Sequence, residues 1–377
     1  MHGRRKMWIL AVVLLLVALA AYVPVTNSIL AIRLTLALRS LGAGATGQDL
    51  PVVETKVRKV HGAQTLEALV YRPAKTLPER AVVLVAGISE LGCYHPRLMA
   101  LSRLMANLGF LVLTPDIEMF RRFRLAPEAM DHIAFWYSQI PELEGGRKLR
   151  RIGLAGISYS GTLALITAVR PEIRDSAAFV LAIGPYNDPL QCSQTWFAPG
   201  PVTVGEGYYP TRFYAKWITM LAALAILPDE QERQFLSEVL VDLLLQKEVP
   251  AERPNLSEEA GRWYRLALMR ENQSDQELAQ RIEEHLTPLL YRHITPDRAA
   301  AEVRCPVFLF HGAYDDLIPP EESRRLQQRI GRERAYLLIS PFITHTHPLA
   351  KPLSRAQQIK AGLEVFGFFY RFASVVR

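Results

Sequence analysis

The chain has 377 residues, of which 50% are hydrophobic and 21% charged, a balance typical of folded globular proteins that excludes a disordered or low-complexity chain. Lys and Arg number 44 against 37 Asp and Glu, but this surplus is not gathered into one basic run, so nucleic acid is not an expected partner. The three cysteines, Cys93, Cys192 and Cys305, lie far apart without a CxxC pair. That spacing excludes a disulfide framework and a cysteine zinc site, leaves one disulfide open and favours idle, buried thiols.

The amino-terminal segment is the first predicted element. Residues 7–25 form an uninterrupted apolar stretch of 19 residues without a charge, preceded by Arg4, Arg5 and Lys6. As a helix this stretch would be about 28 Å long, close to the hydrocarbon thickness of a bilayer. A soluble helix would normally carry polar residues on one face, so the stretch predicts a transmembrane helix.

Two outcomes of that insertion stay open. Ala18-Leu19-Ala20 is similar to a signal-peptidase site, and cleavage there would give a secreted or periplasmic protein. The apolar run continues past this site to Val25, which favours an uncleaved single-pass anchor. In both cases the basic flank stays in the cytoplasm and the rest of the chain faces the other side. We assign residues 1–27 to this anchor or signal.

Residues 28–49 form a predicted linker. Segment 28–42 is apolar, with Arg33 and Arg39 interspersed, which indicates a helix. This helix lies either on the membrane or against the body of the protein.

From residue 50 onward, short apolar strands alternate with helices. The pattern predicts an antiparallel hairpin, with strands at 52–60 and 64–71 joined around His61-Gly62. Further strands are predicted at 81–85, 110–114, 151–155, 178–183, 307–310 and 335–339. Helices are predicted at 95–107, 127–139 (with Pro127 in the first turn), 159–170, 320–329 and 354–374. This alternation is typical of a mostly parallel sheet with helices on both faces.

The alternation is interrupted over 189–302, which shows no convincing strand. Helical patterns cover 230–246, 258–269 and 275–290, after an aromatic-rich piece and an apolar run at 208–227. We therefore predict a helical cap at 189–302, inserted between two parts of one core, 50–188 and 303–377. The residues at 208–227 either pack the cap onto the core or shape a pocket for a hydrophobic, lipid-like ester.

A serine stands on a predicted strand-to-helix turn, in the sequence Gly156-Ile157-Ser158-Tyr159-Ser160-Gly161. A turn this sharp strains the backbone of Ser158 and exposes its hydroxyl, and it closes only if the residues two before and two after are small. Gly156 and Ser160 meet this requirement, and Gly161 gives further room. Ser160 is a rival nucleophile, although it would lie inside the helix, and a serine that only caps the helix is the structural alternative.

A serine hydroxyl needs a base to take its proton. Of the histidines after Ser158, His285 and His293 fall in the predicted cap, and His311 at a strand end is expected to support the turn there. His345 and His347 lie in the loop after the last strand, from which a base could reach the turn. We predict His345 as the base, with His347 as the alternative.

The carboxylate that orients the base is expected after the strand at 307–310. Asp315 lies four residues past His311, and we predict it for this role, with Asp316 as the alternative. Acyl transfer also needs N–H donors for the oxyanion. The amides of Ile88, after the Gly87 turn of the first parallel strand, and of Tyr159, after the nucleophile, are the expected pair.

These motifs resemble the α/β-hydrolase superfamily over 50–188 and 303–377. The resemblance is carried by residues 86–88 (AGI), 109–116 (GFLVLTPD), 156–161 (GISYSG), 311–315 (HGAYD) and His345. It implies the α/β-hydrolase fold, with the turn at Ser158 as the nucleophile elbow and Ser160 in place of the usual second glycine. The order serine, aspartate, histidine along the chain is the one expected for this fold.

The resemblance further implies hydrolysis through an acyl-serine intermediate, with no metal and no organic cofactor. A membrane-associated serine esterase with a small-molecule or lipid-like ester substrate is the expected function. Transfer of the acyl group to an acceptor other than water, peptidase activity and a catalytically silent membrane-tethered scaffold stay open, because this fold hosts many functions.

Overall fold

The computed structural model describes residues 22–41, 44–145, 149–197, 203–204, 207–208, 212–249, 255–268, 275–315, 317–341 and 354–377. Most of the predicted membrane segment lies outside these residues, and so do Asp316, His345 and His347. Its last residues, 22–25, begin helix α1, which runs over 22–41. Within the described part of the chain, no helix is both long and apolar enough to span a bilayer.

An eight-stranded sheet forms the centre of the molecule. Its strands are β1 (Val52–His61), β2 (Gln64–Pro73), β3 (Arg80–Val85), β4 (Phe110–Asp116), β5 (Arg151–Ile157), β6 (Ala177–Ile183), β9 (Val307–Gly312) and β10 (Ala335–Ser340). They lie in the order β1-β2-β4-β3-β5-β6-β9-β10. The predicted hairpin of β1 and β2 is confirmed as antiparallel, β2 pairs antiparallel with β4, and every later pair is parallel.

The parallel strands are buried on both faces, as their continuous apolar sequences predict. In β3, Val83 and Val85 pack on one side of the sheet while Val82 and Leu84 pack on the other, because successive side chains of a strand point to opposite faces. Helices cover both faces. They are α2 (Pro96–Asn107) and α13 (Arg355–Val376) on one side, and α4 (Ala129–Leu143), α5 (Tyr159–Ala168) and α12 (Pro320–Ile330) on the other. A one-turn helix, α3 (Glu118–Arg121), follows β4.

Helix α1 packs against the face that carries α2 and α13. Its Leu30, Ala31 and Leu34 are buried in the same apolar cluster as Leu98 of α2 and Phe372 of α13. One face of the predicted linker helix therefore lies against the body of the protein.

Between β6 and β9 the chain is mainly helical, as predicted. Its helices are α6 (Pro189–Phe197), α7 (Arg212–Ala222), α8 (Glu230–Leu244), α9 (Glu258–Leu268), α10 (Gln276–Leu289) and α11 (Asp297–Glu302). We refer to residues 189–302 as the cap. The expectation that it holds no strand was wrong in one detail, because β7 (Thr203–Val204) and β8 (Gly207–Tyr208) form a two-residue antiparallel ladder. Strands this short are not visible in a sequence, since two residues show no alternation.

Helix α4 begins at Ala129, two residues later than predicted, and Pro127 lies in the turn before it. All three cysteines are free and buried, which excludes the disulfide that the sequence left open.

Candidate active site

The turn at Ser158 joins the central strand β5 to helix α5. Strand β5 ends at Ile157, α5 begins at Tyr159, and Ser158 between them has φ 59° and ψ −128°. A residue with a side chain adopts this conformation at a cost of about 1–3 kcal/mol and only where its surroundings impose it. Here the amide of Ser158 donates to the carbonyl of Ile183 at 2.6 Å, and its carbonyl accepts from the amide of Gly161 at 2.9 Å. The neighbouring strand and the first turn of α5 thus hold the strained serine.

Gly156 is required by a close approach of the backbone. A Cβ atom at this position would lie 2.1 Å from the carbonyl oxygen of Ser160, which is well inside van der Waals contact. Ser160 itself is fully buried, and its hydroxyl donates to the carbonyl of Ala86. The serine that replaces the usual glycine is thereby accommodated, and its hydroxyl is engaged away from the cavity described below. This leaves Ser158 as the serine of the turn whose hydroxyl can act on a ligand.

The loop that follows β3, residues 86–89, is held from three sides. We call it the oxyanion loop. The Ser160 hydroxyl of α5 bonds the carbonyl of Ala86, the Tyr214 hydroxyl of the cap donates to the carbonyl of Ile88 at 3.0 Å, and the amide of Ser89 donates to the carbonyl of Phe120 at 3.2 Å. These three bonds fix a loop that would otherwise be free to move at the sheet edge.

The amides of Ile88 and Tyr159 are the predicted oxyanion donors. Tyr159 is the first residue of α5 and therefore has no acceptor one turn earlier in its helix. Among the residues that the structure describes, no backbone carbonyl accepts from either amide. Both residues line the same cavity as Ser158, as the predicted donors of an oxyanion hole must.

The side chain of Tyr159 anchors the start of α5 in the core. Its ring stacks on Tyr186 with centroids 6.2 Å apart and meets Phe120 edge-on at 5.7 Å. Burial raises the pKa of Tyr159 far above its ordinary value, so the phenol stays neutral at all physiological pH values. The side chain of Tyr159 is therefore a packing group, and only its backbone amide is a candidate for the chemistry of the site.

Asp315 follows β9 and lies buried at the same edge of the sheet. Its Oδ1 accepts from the amides of Leu317 at 3.0 Å and Ile318 at 2.9 Å, which fixes the plane of the carboxylate. Its Oδ2 lies 3.4 Å from Nε2 of His311.

His311 supports the turn after β9, as the sequence suggested. Its Nδ1 lies 2.6 Å from the Ser323 hydroxyl, and its Nε2 lies 2.8 Å from the carbonyl of Ile318. A carbonyl can only accept, so Nε2 carries the hydrogen of that bond. Both ring nitrogens are therefore engaged within the turn after β9.

The predicted base falls outside the described residues. Both His345 and its alternative His347 lie between Pro341 and Ser354, in a segment that is not described, and Asp316, the alternative carboxylate, is also outside. What the structure does describe is the start of that loop. The carbonyl of Ser340, at the end of β10, accepts from the amide of Ala313 at 3.0 Å, two residues before Asp315. The segment leading to His345 is thus bonded to the segment that carries Asp315.

A cavity of about 570 Å³ lies between the sheet edge and the cap. Ser158, Asp315 and the oxyanion loop line it, together with polar residues that include Glu90, His95, Arg97, Thr219 and Gln246. Most of the lining is apolar and comes from the cap and from neighbouring loops, including Phe123, Leu125, Trp196, Ile218, Leu244 and Leu290. Its size is that of a small-molecule site, and a mostly apolar lining with a few polar groups is typical of such sites.

Several contributors to the site were not predicted from the sequence. Tyr186 joins the core to the cap through a 2.8 Å bond from its hydroxyl to the carbonyl of Ile294. Buried Glu322 of α12 accepts from the amides of Asn187 and Asp188, which holds the loop after β6. His95, which caps the start of α2, lines the cavity, while His285 and His293 of the cap are exposed. Bonds such as these join residues more than a hundred positions apart, and no local pattern reveals them.

The described residues contain no group of three or more His, Cys, Asp or Glu side chains arranged to hold a metal ion. Among the polar groups that line the cavity are the Ser158 hydroxyl, the Asp315 carboxylate and the backbone of Ile88 and Tyr159. This set can stabilise an oxyanion and transfer a proton.

The close approach at Gly156 gives a testable prediction. Gly156→Ala places a methyl group against the Ser160 carbonyl, so the turn must open, and labelling of Ser158 by a fluorophosphonate probe should fall by at least tenfold. Gly367→Ala in α13 is the matched control, because a Cβ there meets nothing within 4 Å and alanine favours the helix. The control should label at the wild-type rate. Equal labelling of both variants would contradict the geometry given for the turn.

No protein-family model and no curated protein matches the sequence. Among solved structures, the chain is similar to an acylaminoacyl peptidase from Pyrococcus horikoshii, with 15% identity and a TM-score of 0.48 over 86% of this chain and 41% of that one. It therefore spans about two fifths of that peptidase's length. It is also similar to the esterase Pf2001 from Pyrococcus furiosus (13% identity, TM-score 0.46, 87% of this chain and 96% of that one). The third similar structure is a 2,6-dihydroxy-pseudo-oxynicotine hydrolase, with 14% identity and a TM-score of 0.47 over 84% of this chain and 67% of that one.

The chain's own architecture shows its fold. The sheet is mostly parallel, with an antiparallel hairpin at one edge and helices on both faces. A strained serine stands where the central strand β5 turns into α5, and the loop after β3 lines the same cavity. With this sheet and this serine turn, the chain has the α/β-hydrolase fold.

Proposed function

We propose that the protein is a serine hydrolase that cleaves carboxylic esters, with Ser158 as nucleophile, His345 as base and Asp315 as the carboxylate that orients the base. The observation that carries this proposal is the strained Ser158, which lines one cavity together with Asp315 and with the amide-bearing residues Ile88 and Tyr159. Strain of this kind persists where the position of a reactive group matters.

The first half of the reaction forms an acyl-enzyme. His345 takes the proton of the Ser158 hydroxyl as Oγ bonds the ester carbonyl carbon, and the carbonyl oxygen becomes an oxyanion held by the amides of Ile88 and Tyr159. When the intermediate collapses, the bond from carbon to the alcohol oxygen breaks. The leaving alcohol takes its proton from the imidazolium of His345.

The second half releases the acid. His345 removes a proton from water, whose oxygen bonds the acyl carbon and again places negative charge on the carbonyl oxygen. The bond from carbon to Oγ then breaks, and Ser158 recovers its proton from the imidazolium. Asp315 keeps the imidazole in one tautomer and stabilises its cation, while the two amides on Oδ1 hold the carboxylate in place.

The length of the loop after β10 is compatible with this assignment. Strands β10, β9, β6 and β5 are consecutive neighbours, so the end of β10 lies about 14 Å from the end of β5 along the sheet edge. His345 is the fifth residue after Ser340, and five extended residues span roughly 17 Å. His345 can therefore reach Ser158. His347 satisfies the same condition, so reach alone does not choose between them.

The cavity favours a substrate with an apolar acyl or alcohol group. The sequence left two roles open for the apolar residues at 208–227, packing of the cap and lining of a pocket. Helix α7 contains residues of both kinds. Tyr214 and Ile218 line the cavity, whereas Met220, on the same helix, is fully buried in the core cluster. The pocket wall is thus made by one face of a helix whose other face packs the cap.

The sequence of residues 7–25 supports membrane association of this hydrolase. A stretch of 19 uncharged residues behind Arg4, Arg5 and Lys6 suits an uncleaved anchor with the hydrolase domain on the non-cytoplasmic side. An ester that partitions into the bilayer would then be at high local concentration near the enzyme.

The nucleophile is tested by Ser158→Ala in detergent-purified full-length protein. Loss of the hydroxyl removes the acyl-enzyme route, so activity on short p-nitrophenyl esters should fall at least a hundredfold and fluorophosphonate labelling should vanish. Ser193→Ala is the matched control, since Ser193 lines the same cavity but is engaged with Glu283 at 3.1 Å. If Ser158→Ala keeps more than about a hundredth of the activity, the proposal is wrong. Folded wild-type protein that neither labels nor hydrolyses would indicate a silent scaffold.

The base and the carboxylate are tested by two matched pairs of variants. His345→Gln and Asp315→Asn should each lower kcat by about 10²–10⁴, as expected for members of a catalytic triad. Their neighbours, His347→Gln and Asp316→Asn, should keep kcat within about tenfold of wild type. A large loss at His347 with none at His345 would transfer the role of base to His347, and the same comparison decides between the two aspartates.

A further inference from the structure

Helix α1 has two opposite apolar faces. The inner face, with Leu30, Ala31 and Leu34, is buried on the body, as described above. The outer face carries Val25, Ile29, Ile32 and Leu36, which are 52%, 51%, 48% and 57% exposed. We call these four residues the outer stripe. A helix on a protein surface normally turns polar side chains to solvent, so the outer stripe requires a covering partner.

The outer stripe is regular. Its residues are spaced four, three and four apart, and with a turn of 100° per residue they fall within about 60° of one another around the helix. They extend over about 16 Å of its length. Arg33 and Arg39 are exposed and flank the stripe on its two sides. An apolar strip with cations along both borders is the pattern of helices that lie in the headgroup region of a bilayer.

We propose that the outer stripe lies in the lipid headgroup region with α1 parallel to the membrane surface, so that the body of the protein rests on the bilayer through this helix. The last four residues of the apolar segment 7–25 form the start of α1, and Val25 among them is the first residue of the outer stripe. The outer stripe is therefore continuous in sequence with the proposed membrane anchor. Arg39 can extend to phosphate groups while the apolar side chains insert, whereas Arg33 donates to the carbonyl of Asn107 at 3.2 Å and ties α1 to the body.

A second copy of the protein fits this face less well than lipid does. Four half-exposed side chains present roughly 300–400 Å², whereas a stable protein interface buries about 800 Å² on each partner. A bilayer sets no such minimum, because the segment before α1 already holds the protein there. This inference thus rests on the proposed membrane association and is independent of the hydrolase chemistry.

The orientation of α1 distinguishes this arrangement from an upright helix. If α1 continued straight out of the bilayer, Leu36 would lie about 16 Å beyond Val25, in water. If α1 lies flat, Ile29 and Leu36 are immersed to the same depth. Both faces of the helix are then used, the inner one by the protein and the outer one by lipid.

The test places a spin label at single sites in the full-length protein, reconstituted in bilayers of phosphatidylcholine and phosphatidylglycerol. Ile29→Cys and Leu36→Cys report on the outer stripe, and Leu77→Cys, 72% exposed and outside α1, is the control. The native thiols should remain unlabelled, because all three are buried and burial raises the pKa of Cys93 to about 12 and that of Cys305 to about 11. Collisions with oxygen, which concentrates in lipid, are compared with collisions with a water-soluble nickel complex.

We expect both labels on the stripe to collide severalfold more with oxygen than with nickel, at equal depth, and the label at residue 77 to favour nickel. A lipid-exposed label at Ile29 with an aqueous one at Leu36 would show an upright helix, and two aqueous labels would show an uncovered stripe. Spin–spin broadening that grows with the protein-to-lipid ratio would show a second copy. Each of these outcomes overturns the proposal. Protein that fails to float with the vesicles would overturn the anchor as well, and fluorophosphonate labelling of the same samples reports on the hydrolase separately.

Discussion

The positive φ of Ser158 is the constraint around which the site is arranged. A side-chain-bearing residue holds this conformation only because its amide is bonded to β6, its carbonyl is bonded to the first turn of α5, and Gly156 lets the chain pass within contact of Ser160. The same crowded turn orders its surroundings. The buried Ser160 hydroxyl donates to the carbonyl of Ala86 in the oxyanion loop, and the ring of Tyr159 packs the start of α5 against Tyr186. The backbone strain at the serine and the fixed position of the amides beside it therefore have one origin.

The parallel sheet brings the remaining groups to that turn. Strands β3, β5, β9 and β10 all end at the same edge, so the loops after them meet there although they are far apart in sequence. The bond between Ala313 and Ser340 joins two of these loops directly. The cap closes the space above them. The hydroxyl of its Tyr214 bonds the oxyanion loop, so the cap and this loop, which both line the cavity, are directly hydrogen-bonded.

Much of this could be predicted from the sequence because the signals are local. Apolar runs bounded by glycine and proline predicted the parallel strands to within two residues, and small residues around Ser158 predicted the turn. The sequence could not reveal Tyr186, Tyr214 or Glu322, because each acts on a residue far along the chain and none belongs to a recognisable motif. The sequence also could not predict the two faces of α1. An apolar sequence shows which residues are hydrophobic but not which of them pack against the body of the protein.

The central claim is that a hydroxyl, an imidazole and a carboxylate converge at this edge of the sheet. It is tested most directly by an experimental structure of the full-length protein after reaction with a fluorophosphonate. The account predicts phosphorus bonded to Oγ of Ser158, a phosphoryl oxygen within hydrogen-bond distance of the amides of Ile88 and Tyr159, and the ring of His345 between that adduct and Asp315. An adduct on another residue, or an imidazole of His345 that contacts neither the adduct nor the Asp315 carboxylate, would contradict it.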